Sequence, residues 1–242
     1  MAKMIPGFLF LMAAGGLGAE SPLAQDTFPA NGGDVTVTFV GHGTLVLAWG
    51  SLVVHVDPVG EYADYAKMPK ADLVLVTHEH ADHLDPAAIA AIRKPGTEVV
   101  QTAKCAAKVK GTVMANGDRR IFGNIAVEAV PAYNIRHERS PGKPYHPKGD
   151  GNGYVITLGG LKIYVAGDTE DTGEMRKLEG IDVAFLPMNL PYTMTPEMVA
   201  DAARAFKPKM LYPYHFGDTD PKRLTALLAG VKGIEVRIRA LK

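Results

Sequence analysis

Thr77-His78-Glu79-His80-Ala81-Asp82-His83 packs three histidines and an aspartate into seven residues. Neutral imidazoles and a carboxylate are the donors that Zn²⁺ and similar ions prefer, and a short loop can aim such side chains at one shared centre. A plain surface loop has no use for this spacing, so the stretch reads as metal-binding. Its flanks say what carries it. Leu73-Val74-Leu75-Val76 is a continuous apolar run, as expected of a strand covered on both faces. Asp85 and Pro86 then precede Ala-Ala-Ile-Ala-Ala-Ile, which supplies an N-cap, a proline preset for a first turn, and Ile89 and Ile92 on one helical face. The histidines therefore sit on a strand-to-helix loop, and capping alone explains Asp85.

Working outward, residues 35–40, 45–49 and 52–56 are β-rich runs separated by Gly41, Gly43 and Gly50, and read as a strand meander. Further strands are expected at 98–101, 126–130, 154–158, 162–165, 183–186, 210–214 and 235–238. Helices are expected at 196–206, capped by Thr195, and at 221–228, capped by Asp220. No repeat or interdomain linker interrupts the chain. Two packed sheets flanked by helices, an α/β (α+β layered) αββα arrangement, suit this order, and pattern alone leaves other α/β arrangements open.

The 242 residues are 47% hydrophobic and 21% charged, enough to bury one substantial core. Lys plus Arg equals Asp plus Glu at 26 each, so no overall electrostatic footprint points to nucleic acid. Lys3 precedes the apolar run at 8–14, which ends in small residues and turns polar near Glu20, the layout of a signal peptide. That run is much shorter than the roughly 20 residues a transmembrane helix needs, so no stable membrane anchor is expected. Residues 1–24 are read as leader and N-terminal tail, and 25–242 as one domain. Cys105 is the only cysteine, which rules out an intramolecular disulfide. A secreted or periplasmic protein is the expectation.

The histidine loop resembles the His-x-His-x-Asp-His signature of the metallo-β-lactamase superfamily, and the resemblance extends over roughly residues 34–215. Asp57, ending Val54-His55-Val56-Asp57, is similar to the superfamily's early supporting aspartate. Asp168 in Gly167-Asp168-Thr169 resembles the aspartate that bridges both metals, and His215 after Met210-Leu211-Tyr212-Pro213-Tyr214 resembles the last histidine ligand. Singly, Asp57 also reads as a turn residue, Asp168 as a helix cap and His215 as a core histidine. Together with the loop they read as one site.

Gly41-His42-Gly43-Thr44 and Asp57-Pro58 resemble the branch that includes ascorbate-6-phosphate lactonase-like and N-acylphosphatidylethanolamine phospholipase D-like proteins. His42 either orients the site or hydrogen-bonds within a turn. His55 belongs to no motif and reads as structural.

One position departs from the superfamily pattern. Where many members place a further histidine after the strand that here reads Val127-Glu128-Ala129-Val130-Pro131-Ala132-Tyr133, this chain has Asn134. A neutral amide oxygen is a poor zinc donor. His146 and His137 follow in the next loop, and His146, beside the glycine-rich stretch 148–153, is the preferred substitute; His137, Asn134 or water are the alternatives.

The resemblance implies a fourfold-layered metallo-β-lactamase fold and two divalent cations, with zinc expected and Mn²⁺ or Fe²⁺ as alternatives. His78, His80 and Asp168 with His146 would hold one; Asp82, His83, Asp168 and His215 would hold the other. Asp82 would also orient the nucleophile, with His42 and Asp57 behind the ligands. Hydrolysis by a metal-activated water follows, on a small ester, lactone or phosphodiester. Asn134, Lys148 and Tyr192 are the candidate substrate contacts, although each also reads as ordinary loop surface. The alternatives are a phospholipase D-like phosphodiesterase and a non-catalytic metal-binding domain whose site has decayed at Asn134.

Overall fold

The computed structural model describes residues 23–241, so the leader expected at the N-terminus lies, but for its last two residues, outside the described residues. Two seven-stranded sheets pack face to face around one core. The first contains β1 (Gln25–Phe28), β2 (Val35–Gly41), β3 (Thr44–Trp49), β4 (Leu52–Val56), β5 (Leu73–Leu75), β6 (Glu98–Gln101) and β7 (Thr112–Val113), side by side in chain order. Chain order continues with β8 (Arg119–Phe122), β9 (Ile125–Ala132), a separate hairpin of β10 (Glu138–Ser140) and β11 (Lys143–Pro144), then β12 (Gly151–Leu158), β13 (Leu161–Val165), β14 (Val183–Pro187), β15 (Met210–Tyr214) and β16 (Glu235–Val236). The second sheet has the order β16-β15-β14-β13-β12-β9-β8.

Each sheet is half antiparallel and half parallel. In the first, β1 to β4 form a meander and β4 to β7 run parallel; in the second, β13 to β16 run parallel. The parallel strands are apolar on both faces because each sheet is covered twice. Val74 and Val76 meet Ile89 and Ile92 of α1 (Pro86–Ile92) on the outside, while Leu73 and Leu75 join the central core. Helices α2 (Pro196–Phe206) and α3 (Lys222–Leu227) cover the second sheet. The result is the αββα sandwich expected from the element order.

Two of the three helices flagged by capping signals begin where expected, and the third, α3, starts one residue late with Pro221 rather than Asp220 at its N-cap. Asp85 accepts from the N–H groups of Ala87 and Ala88 with one carboxylate oxygen and from Gly60 with the other, and Thr195 caps α2 through Met198. The helix expected over 221–228 is shorter, with Asp220 accepting from the Lys222 N–H. Alternation does not reveal β1, β7, β8 or the β10–β11 pair. They are short edge or hairpin strands, stabilised by pairing partners more than by a buried face.

The sheets are stitched together at the end where the parallel strands stop. Asn152 N–H donates to Thr77 O and the Tyr154 hydroxyl to Val76 O across the two sheets, and within the second sheet Gly167 N–H donates to the Tyr214 hydroxyl. Gly167 has φ +66, and a Cβ there would come within 2.9 Å of Asn152 O, so only glycine permits this close approach.

His55, two residues before Asp57, is fully buried beside Tyr65, with Nε2 donating to Pro69 O and Nδ1 without a partner. Burial pushes its pKa down to about 4 despite that hydrogen bond.

Two outcomes are expected here. Asp85→Ala should cost about 1 kcal/mol in denaturant unfolding, the usual value of a cap, and leave metal content unchanged. His55 has a lowered folded pKa, so between pH 6.5 and about 4 the unfolded chain takes a proton that the folded chain refuses, and stability falls as pH falls. In His55→Gln that component is absent. Its stability relative to the parent should rise by up to roughly 3 kcal/mol between pH 7 and pH 4, and parallel pH curves would refute the assignment.

Candidate metal centre

The ends of β4, β5, β13 and β15 deliver Asp57, His78, Asp168 and His215 to one edge of the sandwich, as parallel strands deliver ligands at their carboxyl ends. Two groups of side chains converge there, each with donor atoms within 4.8 Å of one another. The first comprises His78, His80, His146 and Asp168; the second comprises His42, Asp82, His83 and His215. Asp168 joins them. One carboxylate oxygen lies 3.2 Å from His146 Nε2 and 3.9 Å from His78 Nε2, while the other lies 3.4 Å from His83 Nε2 and 3.5 Å from His215 Nε2.

Asp82 Oδ2 closes the second group at 3.3 Å from His42 Nε2, 3.5 Å from His215 Nε2 and 3.8 Å from His83 Nε2. His42 is thus brought into the group itself, with its ring centroid 3.7 Å from that of His215 and Tyr62 stacked against it. His42, Asp57 and His215 all adopt positive φ, near +45 to +50°, a conformation that costs energy in non-glycine residues and here concentrates at the site. Gly43 leaves room for the cluster, since a Cβ there would sit 2.8 Å from the His83 ring.

The donor set fits divalent cations on a direct observation. His83 Nε2, His215 Nε2 and Asp168 Oδ1 are buried, face one another, and have no hydrogen-bond partner. Buried polar atoms are almost always paired, and an ion at their common point would satisfy all three at once.

The backs of the rings are held by acceptors. His83 Nδ1 donates to Asp57 at 2.7 Å, and Asp57 also accepts from the Thr77 N–H and hydroxyl. His78 Nδ1 donates to the Thr77 hydroxyl oxygen at 3.0 Å. Each such contact favours the proton on Nδ1 in the neutral ring, so that Nε2 is the nitrogen turned toward the shared centre.

Electrostatics follow from the same crowding. Burial alone would raise Asp168, but His215, His83, His146 and His78 around it hold its carboxyl well below the usual range. Burial also opposes charge on His83, yet Asp168, Asp57 and Asp82 raise it to about 9. His78, with burial dominant and neighbouring imidazoles adding repulsion, falls well below the ordinary histidine value.

Asn134 is buried behind His146. Its oxygen accepts from both the backbone N–H of His146 at 2.7 Å and its Nδ1 at 2.8 Å, while its amide nitrogen donates to Glu170 and to Tyr192 O. The amide orientation is set because the His146 backbone N–H can only donate while Glu170 and Tyr192 O only accept, and this makes Nδ1 the donating nitrogen of the His146 ring. Glu170 is fully buried and also accepts from the N–H groups of Ile135, Arg136 and His137, which pins the whole loop. His137 faces Thr193 O and Glu170, outside both groups. Glu170 received no reading from the sequence, where it is an unremarkable acid after Asp168-Thr169.

A cleft of about 420 Å³ opens over both groups, lined by His80, Asp82, His146, Asp168 and His215 and, on its rim, by Arg139, Tyr145, Asn189 and Tyr192. Tyr192 therefore stands where a substrate contact was expected. Lys148 does not line this cleft: its ammonium pairs with Glu174 and lies over the Tyr133 ring. A larger hollow, about 860 Å³, lies outside the second sheet against Ile121, Val155 and Lys162, and contains none of the histidines.

Residues 36–215 match the family described as the Beta-lactamase superfamily domain, a span that starts in β2 and ends at the last clustered histidine. The chain belongs to this superfamily. Among superfamily relatives, it is 31% identical to a "UPF0173 metal-dependent hydrolase" of Pelotomaculum thermopropionicum over 84% of this chain and 95% of that one. It is 35% identical to another of the same description from Thermococcus kodakarensis, over 77% of this chain and 87% of the relative. A crystal structure described as a putative metal-dependent hydrolase from Parabacteroides distasonis superimposes with a TM-score of 0.86 at 49% identity, covering 91% of this chain and all of that one.

If the acceptor behind His146 matters, Asn134→Leu should weaken one of two metal equivalents by about 10- to 100-fold in a chelator competition and spare the other. His137→Ala should bind both ions as the parent does. Equal losses in the two variants would show that the loop, rather than the amide, is responsible.

Proposed function

We propose that this protein is a hydrolase that uses two divalent cations, with zinc the first candidate, to cleave a small ester, lactone or phosphodiester. The observation that carries this reading is the placement of Asp168 between two histidine groups, with buried, unpartnered donor atoms at their meeting point. Two cations bound there would supply Lewis-acid polarisation of a carbonyl or phosphoryl oxygen and would lower the pKa of water from 15.7 toward about 7.

The chain's own residues do the rest. His78, His80, His146 and one oxygen of Asp168 would hold the first ion. His42, Asp82, His83, His215 and the other oxygen of Asp168 are the donors for the second. Asp82 is the most exposed of the carboxylates, opens onto the cleft, and is placed to accept a hydrogen bond from a nucleophilic water and so aim it. Asp57 and Asn134 keep the rings turned. The full donor set around His146 argues against a decayed site, and the relatives described as metal-dependent hydrolases support the same reaction class.

Among the described residues no helix is long and apolar enough to cross a membrane. The cleft suits a small molecule in size, at the lower end of the roughly 300–1,000 Å³ common for such sites.

Asp168→Ala removes the only carboxylate shared by both groups. Elemental analysis of the purified variant should show loss of both equivalents, and hydrolysis of phosphodiester and lactone reporters should fall by at least about a thousandfold. A variant that kept two ions and normal turnover would refute the shared site.

A further inference from the structure

The rim of the cleft carries chemistry that neither cation group uses. Arg139 is the only lysine or arginine lining the cleft, and among the described residues no carboxylate pairs with it; its guanidinium lies 5.8 Å from the centre of the Tyr145 ring. Glu138, its neighbour, is already engaged, accepting from the Gly142 N–H across the hairpin turn.

The backbone explains the aim of this side chain. In the β10–β11 hairpin Glu138 pairs with Pro144 and Ser140 with Lys143, so Arg139 is the extra residue at the register shift. A bulge of this kind turns one side chain out of the regular alternation, and such bulges recur beside active sites. The other strand of the hairpin leads directly into Tyr145 and His146, so the arginine and the ligand histidine share one short rigid unit.

Opposite, Tyr192 comes from the loop before α2 and meets Tyr145 edge to face, with centroids 5.1 Å apart. Tyr192 is 44% exposed, and an aromatic pair left this open at a cleft mouth offers a flat apolar wall to a bound molecule.

We infer that the cleft selects substrates bearing an anionic group, a carboxylate or phosphate, next to a planar or apolar body, with Arg139 binding the anion and Tyr145 and Tyr192 the body. This rests on the hydrolase reading of the same cleft for its catalytic meaning, and on the rim alone for its binding meaning. A planar guanidinium binds either oxyanion through two parallel hydrogen bonds, and its contact with the Tyr145 face orients it before the ligand arrives.

The test uses the full chain loaded with two equivalents of Zn²⁺. Affinities for phenyl phosphate, benzoate and neutral benzamide are measured by calorimetry on the parent, Arg139→Gln and Arg139→Lys. In parallel, kcat/KM is compared for 4-nitrophenyl hemisuccinate, which carries a free carboxylate, and neutral 4-nitrophenyl acetate. The anion-to-benzamide affinity ratio and the hemisuccinate-to-acetate ratio should each fall about tenfold in Arg139→Gln, with Arg139→Lys between it and the parent. A fall confined to phenyl phosphate or to benzoate identifies which oxyanion the subsite takes. Unchanged ratios in a fully metal-loaded Arg139→Gln protein overturn the inference, whether or not esters are cleaved. Lost anion affinity in a protein that cleaves neither ester would uphold the anion subsite and count against the hydrolase reading instead.

Discussion

A single buried carboxylate joins the two halves of this protein. Asp168 sits at the end of a strand in the second sheet and touches histidines from the loop after β5, from the β10–β11 region and from the end of β15. An isolated carboxylate so deeply buried would be untenable, because transfer of a charge out of water costs far more than a fold can spare. It is stable here because imidazoles surround it, and bound cations would complete its partners. The hydrogen bonds that stitch the sheets together, Asn152 to Thr77 and Tyr154 to Val76, lie at the same end and hold the two strand ends close enough for that contact.

Around this centre the chain places a layer of hydrogen-bond acceptors that does not touch the ion positions. Asp57 and Thr77 turn His83 and His78, and Asn134 turns His146. Glu170 anchors Asn134 and three backbone N–H groups beside it, so a buried acid stabilises a loop that would otherwise leave those donors unpaired. Left-handed backbone at His42, Asp57 and His215 belongs to the same economy: the surrounding packing over-determines those conformations, and ring positions gain accuracy from the strain.

The rim differs from the centre in kind. The ion positions are reached from strand ends and rigid turns, whereas Arg139, Tyr145 and Tyr192 come from a short hairpin and a connecting loop. Selectivity on such segments can change without disturbing the core beneath them.

The sequence by itself determined the strand-to-helix loop that carries the crowded histidines, the starts of α1 and α2, and most of the side chains that cluster at the site, while its element order suited the αββα layers without excluding other α/β arrangements. The apolar run at 73–76, the proline after Asp85 and the crowded histidines are local signals, since strand burial, capping and ligand spacing each act over a few residues. The superfamily resemblance marked the departure at Asn134 and made His146 the preferred substitute, with His137, Asn134 or water left as alternatives. Tertiary structure alone decided what Asn134 does: its side chain meets Glu170, 36 residues away, and His146, 12 residues away, because the segments after β9, β11 and β13 come together at one end of the sandwich. It likewise brought His42 into the second group, drew Lys148 away to Glu174 and aimed Arg139 into the cleft. Those outcomes depend on where a side chain points relative to distant partners, and neither periodicity nor composition carries that direction.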